Sequence, residues 1–201
     1  MPENKMVLSC VDCVTKACHD GGIFPAFCHT QKMTEEEKDT LYRLYDEEEN
    51  YRLENGANDA KVIHGHDTRI ECTMEFARQI HGHKIGIATC ISTMEEAKIA
   101  AKILRANGFE VYSAMCKIGA MAREQDIKRN VKMCNPIEQA KYLNEMGTDL
   151  NIEIGLCVGH DSLFYRYSEA PVTTLIAKDW ALNHNPIRAL REEEIYSELC
   201  R

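Results

Sequence analysis

From Lys84 onward, apolar and polar positions alternate between strand-like runs and helical stripes. Ile85-Gly-Ile-Ala-Thr-Cys90 is a short apolar run typical of a buried strand. Thr93 to Asn107 is amphipathic and stops at Asn107-Gly108, a helix terminator. Phe109-Glu-Val-Tyr-Ser-Ala-Met-Cys116 reads as the next strand, which makes a βαβ unit with parallel strands and a right-handed crossover. Lys117 to Asn135 is polar and basic and gives no readable element. Pro136 opens a helix that stops at Gly147, and Leu150-Asn-Ile-Glu-Ile-Gly-Leu-Cys157 is a third strand. Asp161 or Ser162 caps a short helix to about Tyr167, Pro171 to Lys178 is a fourth strand, and Ile187 to Leu199 is a last helix. The alternation predicts an α/β fold, with a four-stranded, mostly parallel, doubly wound sheet of the Rossmann or flavodoxin-like kind.

The first half reads differently. Thr34 and Glu37 fit a capping box, and Leu41, Leu44 and Tyr45 give the helix they open, to about Glu54, an apolar stripe. Gly56-Ala-Asn-Asp reads as a break. A second helix runs from Asp67 or Thr68 to Ile80, with Ile70, Met74, Phe76 and Ala77 inward, and His81-Gly82-His83 ends it. The expected organisation is a cysteine-rich metal-binding module at 1–33, a helical segment at 34–83 and an α/β domain at 84–201.

Composition narrows the function classes. Hydrophobic residues make up 44% and charged residues 28% of the 201 positions, a soluble globular profile. No apolar run approaches the roughly 18 to 20 residues that span a bilayer, and the first residues carry no signal-peptide pattern, so a cytoplasmic protein is expected. A formal charge of -8 sets the surface against phosphate backbones and makes nucleic acid a poor partner. In a reducing compartment, ten cysteines indicate metal binding or thiol chemistry in preference to disulfides, and they suit a cell with little oxygen.

Four of them open the chain as Cys10-Val-Asp-Cys13, Cys18 and Cys28, with Gly21-Gly22 and Pro25 between the last two. Thiolates this close, in a loop that glycines let bend, can converge on one iron–sulfur cluster or zinc ion. The spacing alone does not choose the metal, and four unliganded thiols are the plainer alternative. His19 and His29 each adjoin a cysteine and could replace one as ligand, and Phe24 and Phe27 could shield a cluster.

A second group is spread along the α/β half. Cys90, Cys116 and Cys157 each end a predicted strand, and Cys134 precedes Asn135-Pro136 at a helix start. In a parallel sheet the carboxyl ends of the strands form the ligand-binding edge. These four can make a second metal or cluster site, or a thiol-based catalytic pocket with Cys157 or Cys116 as nucleophile and His160 as proton carrier. Small buried hydrophobes are the alternative role for such cysteines. Lys178-Asp179 and His184-Asn-Pro186 can line the same cleft, and Lys117 is placed to hold an anion or lower the Cys116 pKa. Asp161 reads as a helix cap. Cys72 and Cys200 read as structural or incidental.

The cysteine loop, Thr68-Arg-Ile-Glu71, Cys90, Cys116-Lys117, Cys134-Asn-Pro-Ile137, Gly155-Leu-Cys-Val-Gly-His-Asp-Ser-Leu-Phe164, Ala170-Pro-Val-Thr-Thr174 and His184-Asn-Pro186 occur in one order. Together they resemble a family of cysteine-rich proteins of about this length, a domain of unknown function found mostly in anaerobic microbes and commonly labelled metal-binding. The resemblance implies a metal-ligand role for Cys10, Cys13, Cys18 and Cys28, and names no reaction. At Cys28-His29 the chain departs from the family's Cys-Pro. The leading expectation is a cytosolic metalloprotein with redox capability, acting on a small molecule or a redox partner. The alternatives are a thiol-dependent enzyme with structural zinc and a non-catalytic metal carrier or sensor.

Overall fold

The computed structural model describes residues 7–59, 67–122 and 131–200. Packing divides the chain into two compact units, residues 1–54 and 55–201. The first holds a 3-10 turn at Cys10–Asp12, then α1 (Ala17–Asp20), α2 (His29–Lys32) and α3 (Glu35–Tyr45), and it takes in the start of α4 (Glu48–Asp59). Thr34 caps α3 as expected. Its hydroxyl accepts from the Glu37 N–H at 3.2 Å, and its own N–H donates to the Glu37 carboxylate at 2.8 Å.

The single helix expected over 34–54 is two. The chain breaks at Asp46-Glu47, where the Asn50 side-chain amide donates to the Leu44 carbonyl at 2.9 Å. Acidic residues are unfavourable at a helix carboxyl end and favourable at an amino end, and the break turns Glu48 and Glu49 into the first turn of α4. Gly56, read as a break, instead lies inside α4. A Cβ there would stand 2.8 Å from Ile80 Cγ2, so the glycine serves close packing on α5 (Arg69–Gln79).

The second unit is the α/β domain. Its strands are β1 (Lys84–Thr89), β2 (Glu110–Met115), β3 (Leu150–Ile154) and β4 (Val172–Ile176), and its helices continue with α6 (Met94–Ala106), α7 (Pro136–Glu145), α8 (His160–Tyr167), α9 (Ile187–Arg191) and α10 (Glu193–Leu199). The sheet is parallel throughout, in the order β2-β1-β3-β4. That order matches the first four strands of a flavodoxin-like doubly wound sheet. The chain moves outward from β1 through α6 to β2, then reverses through α7 to β3 and on through α8 to β4. Right-handed crossovers therefore put α7 and α8 on the face opposite α6, and α7 packs against α8. The switch point falls between β1 and β3.

Two helix expectations are corrected here. The helix after β3 is capped by Gly159, and Asp161 sits inside its first turn, accepting from the Gly159 and Ser162 N–H groups at 2.8 and 2.7 Å. The last helix is two, divided at Glu192, whose carboxylate pairs with Arg188 of α9 at 2.6 Å while its extended backbone starts α10. Of the unassigned 117–135 stretch, a 3-10 turn at Ile118–Ala120 is described, and residues 123–130 lie outside the described set.

The central strands are dry: Ile85, Ile87, Leu150, Ile152 and Ile154 are fully buried. Gly86 is paired in register with Asn151, and an added Cβ would lie 1.9 Å from Asn151 Oδ1 and 2.9 Å from Leu143 Cδ1. Asn151 cannot retreat easily, because it accepts from Thr148 and donates to Ser168, each at 2.8 Å. Gly86→Ala is thus expected to lower stability by about 3 kcal/mol through overpacking. Gly108→Ala, at a positive φ with open space around it, should cost only about 1 kcal/mol. Urea midpoints at unchanged slope measure both, and equal losses would show that Asn151 gives way.

Candidate functional site

The site starts from the register of the sheet. Thr89 and Met115 are paired Cα partners, so Cys90 and Cys116 follow side by side at the carboxyl ends of adjacent strands. Two polar side chains and a glycine fix these strand ends. Thr93, fully buried, donates its N–H to the Cys90 carbonyl at 3.2 Å and its hydroxyl to the Ile154 carbonyl at 2.9 Å, tying β1 to β3. Gly155 must be glycine, since its φ is +63° and a Cβ would lie 2.5 Å from Thr93 Cγ2. Gln139 of α7 donates to the carbonyls of Thr89 (3.2 Å) and Ala114 (2.8 Å), tying β1 to β2, and its buried Oε1 accepts from none of the described residues.

The strand-end cysteines come together. Cys90 and Cys116 sulfurs are 4.0 Å apart, with the Cys116 thiol as donor. Cys134 packs on the same apolar cluster, held there by the Asn135 N–H bonded to the Cys116 carbonyl at 2.7 Å. Lys178, just past β4, donates its ammonium to Cys90 Sγ at 2.8 Å and reaches Cys157 Sγ at 3.5 Å. One lysine therefore bridges thiols from both sides of the switch point. Cys90 and Cys116 are 7% and 3% exposed, so this chemistry is recessed.

The two adjacent thiols are driven apart in acidity. Burial pushes Cys90 up, but the Lys178 bond and charge, with Ser92, outweigh it and bring the thiol down to about 7. Cys116 is pushed up to about 11 by burial and by the charges of Cys90 and Cys134, against the Ile91 N–H that bonds its sulfur at 3.4 Å. Burial works against the Lys178 ammonium, and Cys90 and Cys157 more than offset it, so its pKa is raised. These shifts favour a thiolate–ammonium pair at Cys90 and Lys178 beside a protonated Cys116 thiol, with Cys90 about half ionised near pH 7. Lys117 does not lower the Cys116 pKa. Its ammonium turns to the Lys132 carbonyl instead.

Two residues that the sequence pattern did not single out, Glu153 and Trp180, lie at this edge beside His184, which it did. Glu153 of β3 is buried, accepts from the Leu156 N–H and feels the charges of Asp161 and Lys178. Its clue was present: Asn151 and Glu153 interrupt an apolar strand at alternate positions. Trp180, 71% exposed, has its ring 5.1 Å from the Lys178 ammonium and 5.8 Å from the His184 ring. His184 Nδ1 accepts from the Asp179 N–H at 3.1 Å, which places the neutral ring's proton on Nε2. Asn183 and His184 both hold positive φ, a strained turn that closes the loop carrying Lys178. His160 begins α8, and among the described residues its side chain makes no hydrogen bond to Cys157 or Cys116.

At the amino terminus, the 3-10 turn brings the Cys13 N–H to the Cys10 carbonyl at 3.2 Å, a geometry that stacks side chains three apart. The Thr15 hydroxyl and the N–H groups of residues 15 to 17 lower the Cys13 pKa. Cys28 is pushed up by burial, yet Gln31 and Thr30 leave it lowered overall, and Cys13 is close enough to act on it. Cys10 and Cys18 are exposed, and His19 pairs with Asp20 at 2.6 Å. Among the described residues, no three His, Cys, Asp or Glu side chains are placed together as metal ligands, and no helix is long and apolar enough to cross a membrane.

Glu153 makes stability pH-dependent. Burial first, and Asp161 next, raise its carboxyl to about 7 from an ordinary 4.5. A raised acid favours the folded state while protonated, so this contribution is complete below pH 4.5 and is lost as pH rises toward and through 7. Glu153→Gln is expected to leave stability unchanged in acid and raise it by up to about 3 kcal/mol above pH 8. Denaturant melts across pH measure this, and a variant parallel to wild type at every pH would refute the assignment.

Residues 28–175 match the family described as a protein of unknown function (DUF1847), a segment that contains Cys90, Cys116, Cys134 and Cys157 and stops short of Lys178. An uncharacterised protein of Methanocaldococcus jannaschii is 43% identical over 190 residues, covering 91% of this chain and 93% of its own. The match spans most of the α/β domain and the relative spans nearly the whole chain, so the protein belongs to the DUF1847 family of unknown function.

Proposed function

We propose that this protein performs covalent thiol chemistry at the carboxyl edge of its sheet, with Cys90 as the attacking sulfur and Lys178 as the charge that keeps it ionised. The 2.8 Å contact between the Lys178 ammonium and Cys90 Sγ carries this reading. A thiolate is the reactive form of cysteine, and a neighbouring ammonium is one of the few devices that maintain it in a recessed site. The position also suits a ligand, since the crevice at a switch point of a parallel sheet is where doubly wound proteins bind small molecules. Cys157 shares the lysine, Trp180 borders it, and His184 lies against Trp180.

The test is alkylation by iodoacetamide followed across pH. Wild-type Cys90 should react with a midpoint near pH 7. In Lys178→Met the midpoint should move toward the ordinary 9.0. At pH 7 the thiolate fraction then falls roughly fifty-fold, partly offset by higher intrinsic nucleophilicity, for a net slowing of about five- to tenfold. A Cys90 that titrates identically in both proteins would remove Lys178 from the mechanism.

A second reading concerns the amino-terminal unit, where we infer that Cys10, Cys13, Cys18 and Cys28 hold a metal, as zinc or an iron–sulfur cluster. The observation in its favour is local: the Thr15 hydroxyl stands 3.6 Å from the Cys13 sulfur, and this hydroxyl at Cys13 and neighbouring N–H groups at both sites make the two thiols more acidic, the state a ligand needs. Because Cys13 belongs to one compact unit and the sheet to the other, Cys13→Ser should abolish the metal content of anaerobically purified protein and leave the circular dichroism of the sheet unchanged. Wild-type material with no zinc and no iron would end this reading.

A further inference from the structure

Resting on the reading of Cys90 as the attacking sulfur, we infer that Cys116 is its resolving partner, and that the pair forms a dithiol–disulfide couple whose substrate is a low-molecular-weight disulfide. The geometry carries this. Residues that end adjacent parallel strands one step past a registered pair have Cα atoms about 5 Å apart, inside the range a disulfide needs. Thr89 and Met115 are that registered pair. The two sulfurs stand 4.0 Å apart in the reduced protein, and side-chain rotation is enough to bring them to the bonding distance of about 2.05 Å.

The other cysteines are placed less well for the role. Cys157 lies two residues beyond Gly155, the backbone neighbour of Cys90 across the β1–β3 ladder, and the Lys178 ammonium bonds both sulfurs. Cys134 belongs to the segment before α7, outside any ladder with β1. Among the described residues, only Cys116 combines strand register with direct sulfur contact to Cys90.

The reaction balances without an outside electron source for one turnover. The Cys90 thiolate attacks one sulfur of the substrate R–S–S–R, the S–S bond breaks, and one RS⁻ leaves with the electron pair. Cys90 is then a neutral mixed disulfide, so the negative charge that opposed ionisation of Cys116 is gone. Lys178 loses its anionic partner, and the Ile91 N–H, 3.4 Å from Cys116 Sγ, remains to receive a thiolate there. Cys116 gives its proton to the departed RS⁻ and attacks Cys90 Sγ, and the second RS⁻ leaves. The protein dithiol is oxidised by two electrons and the substrate disulfide is reduced to two thiols. An external dithiol of the dithiothreitol class returns the protein to its starting state. The low exposure of Cys90 and Cys116 favours a small disulfide over one held on a folded protein surface.

The experiment exposes reduced, oxygen-free protein to bis(2-hydroxyethyl) disulfide and maps the products by peptide mass spectrometry. Wild type should release both halves of the probe and show a Cys90–Cys116 link. Cys116→Ala, and Cys116→Ser as its companion, should retain one half of the probe on Cys90 and lose release of the second half. Wild type that stops at the mixed disulfide, or that links Cys90 to Cys134 or Cys157, overturns the inference, and so does faster oxidation by a protein disulfide such as that of insulin. The wild-type map decides the matter even if a variant does not fold. Cys90 inert toward iodoacetamide as well would sink the underlying reading, whereas a Cys90 that alkylates but never closes on Cys116 sinks only the couple.

Discussion

The parallel register of β1 between β2 and β3 is the constraint from which the rest of this domain follows. Parallel strands end in a row, and every residue that follows a strand is delivered to the same edge. Cys90 follows β1 and Cys116 follows β2, one step past a paired position. Lys178 follows β4 and Cys157 follows β3 by slightly longer tails. A one-residue slip of β2 against β1 would turn Cys116 to the other face of the sheet and separate the thiols. The packing of the interior resists that slip. Gly86 has room for no side chain opposite Asn151, and Thr93 and Gln139 bond the strand ends directly beside the cysteines. Precision at the edge is therefore inherited from close packing several residues below it.

The fold could be read from the chain because its signals are local. Apolar runs bounded by Asn107-Gly108, Pro136 and Gly147 mark strands and helices whatever surrounds them. The misplacements share a cause in tertiary context. Gly56 is a breaker by propensity, yet it sits within a helix because Ile80 leaves space for nothing larger. Gly159 took the cap position from Asp161 through its own left-handed φ, leaving the carboxylate to bond the turn from inside.

The site was half legible. Strand-end cysteines follow from strand boundaries alone, and two of them, Cys90 and Cys116, do meet, with Cys157 joined through Lys178. Which of them is made more acidic depends on Lys178, which lies 88 positions from Cys90 along the chain. Periodicity carries no information about such a pairing. The same limit applies to the direction of the pKa changes. Lys117 adjoins Cys116 in sequence and Lys178 does not adjoin Cys90, yet the remote lysine makes the ionic contact and the adjacent one bonds a carbonyl.

A buried ion pair is a poor stabiliser, because removing both charges from water costs about as much as their attraction returns. The Cys90–Lys178 pair is partly recessed, and apolar residues would pack there at least as well. Its presence is better explained by what it does to its surroundings. The lysine lowers the nearer thiol, while burial first, and then the charge of Cys90, raise its neighbour, so two chemically identical groups are split in acidity. An attacking group and a waiting group, as proposed above, would draw on that difference. Buried hydrophobic cysteines would gain nothing from that lysine, and its placement among them is the strongest argument against their being mere packing.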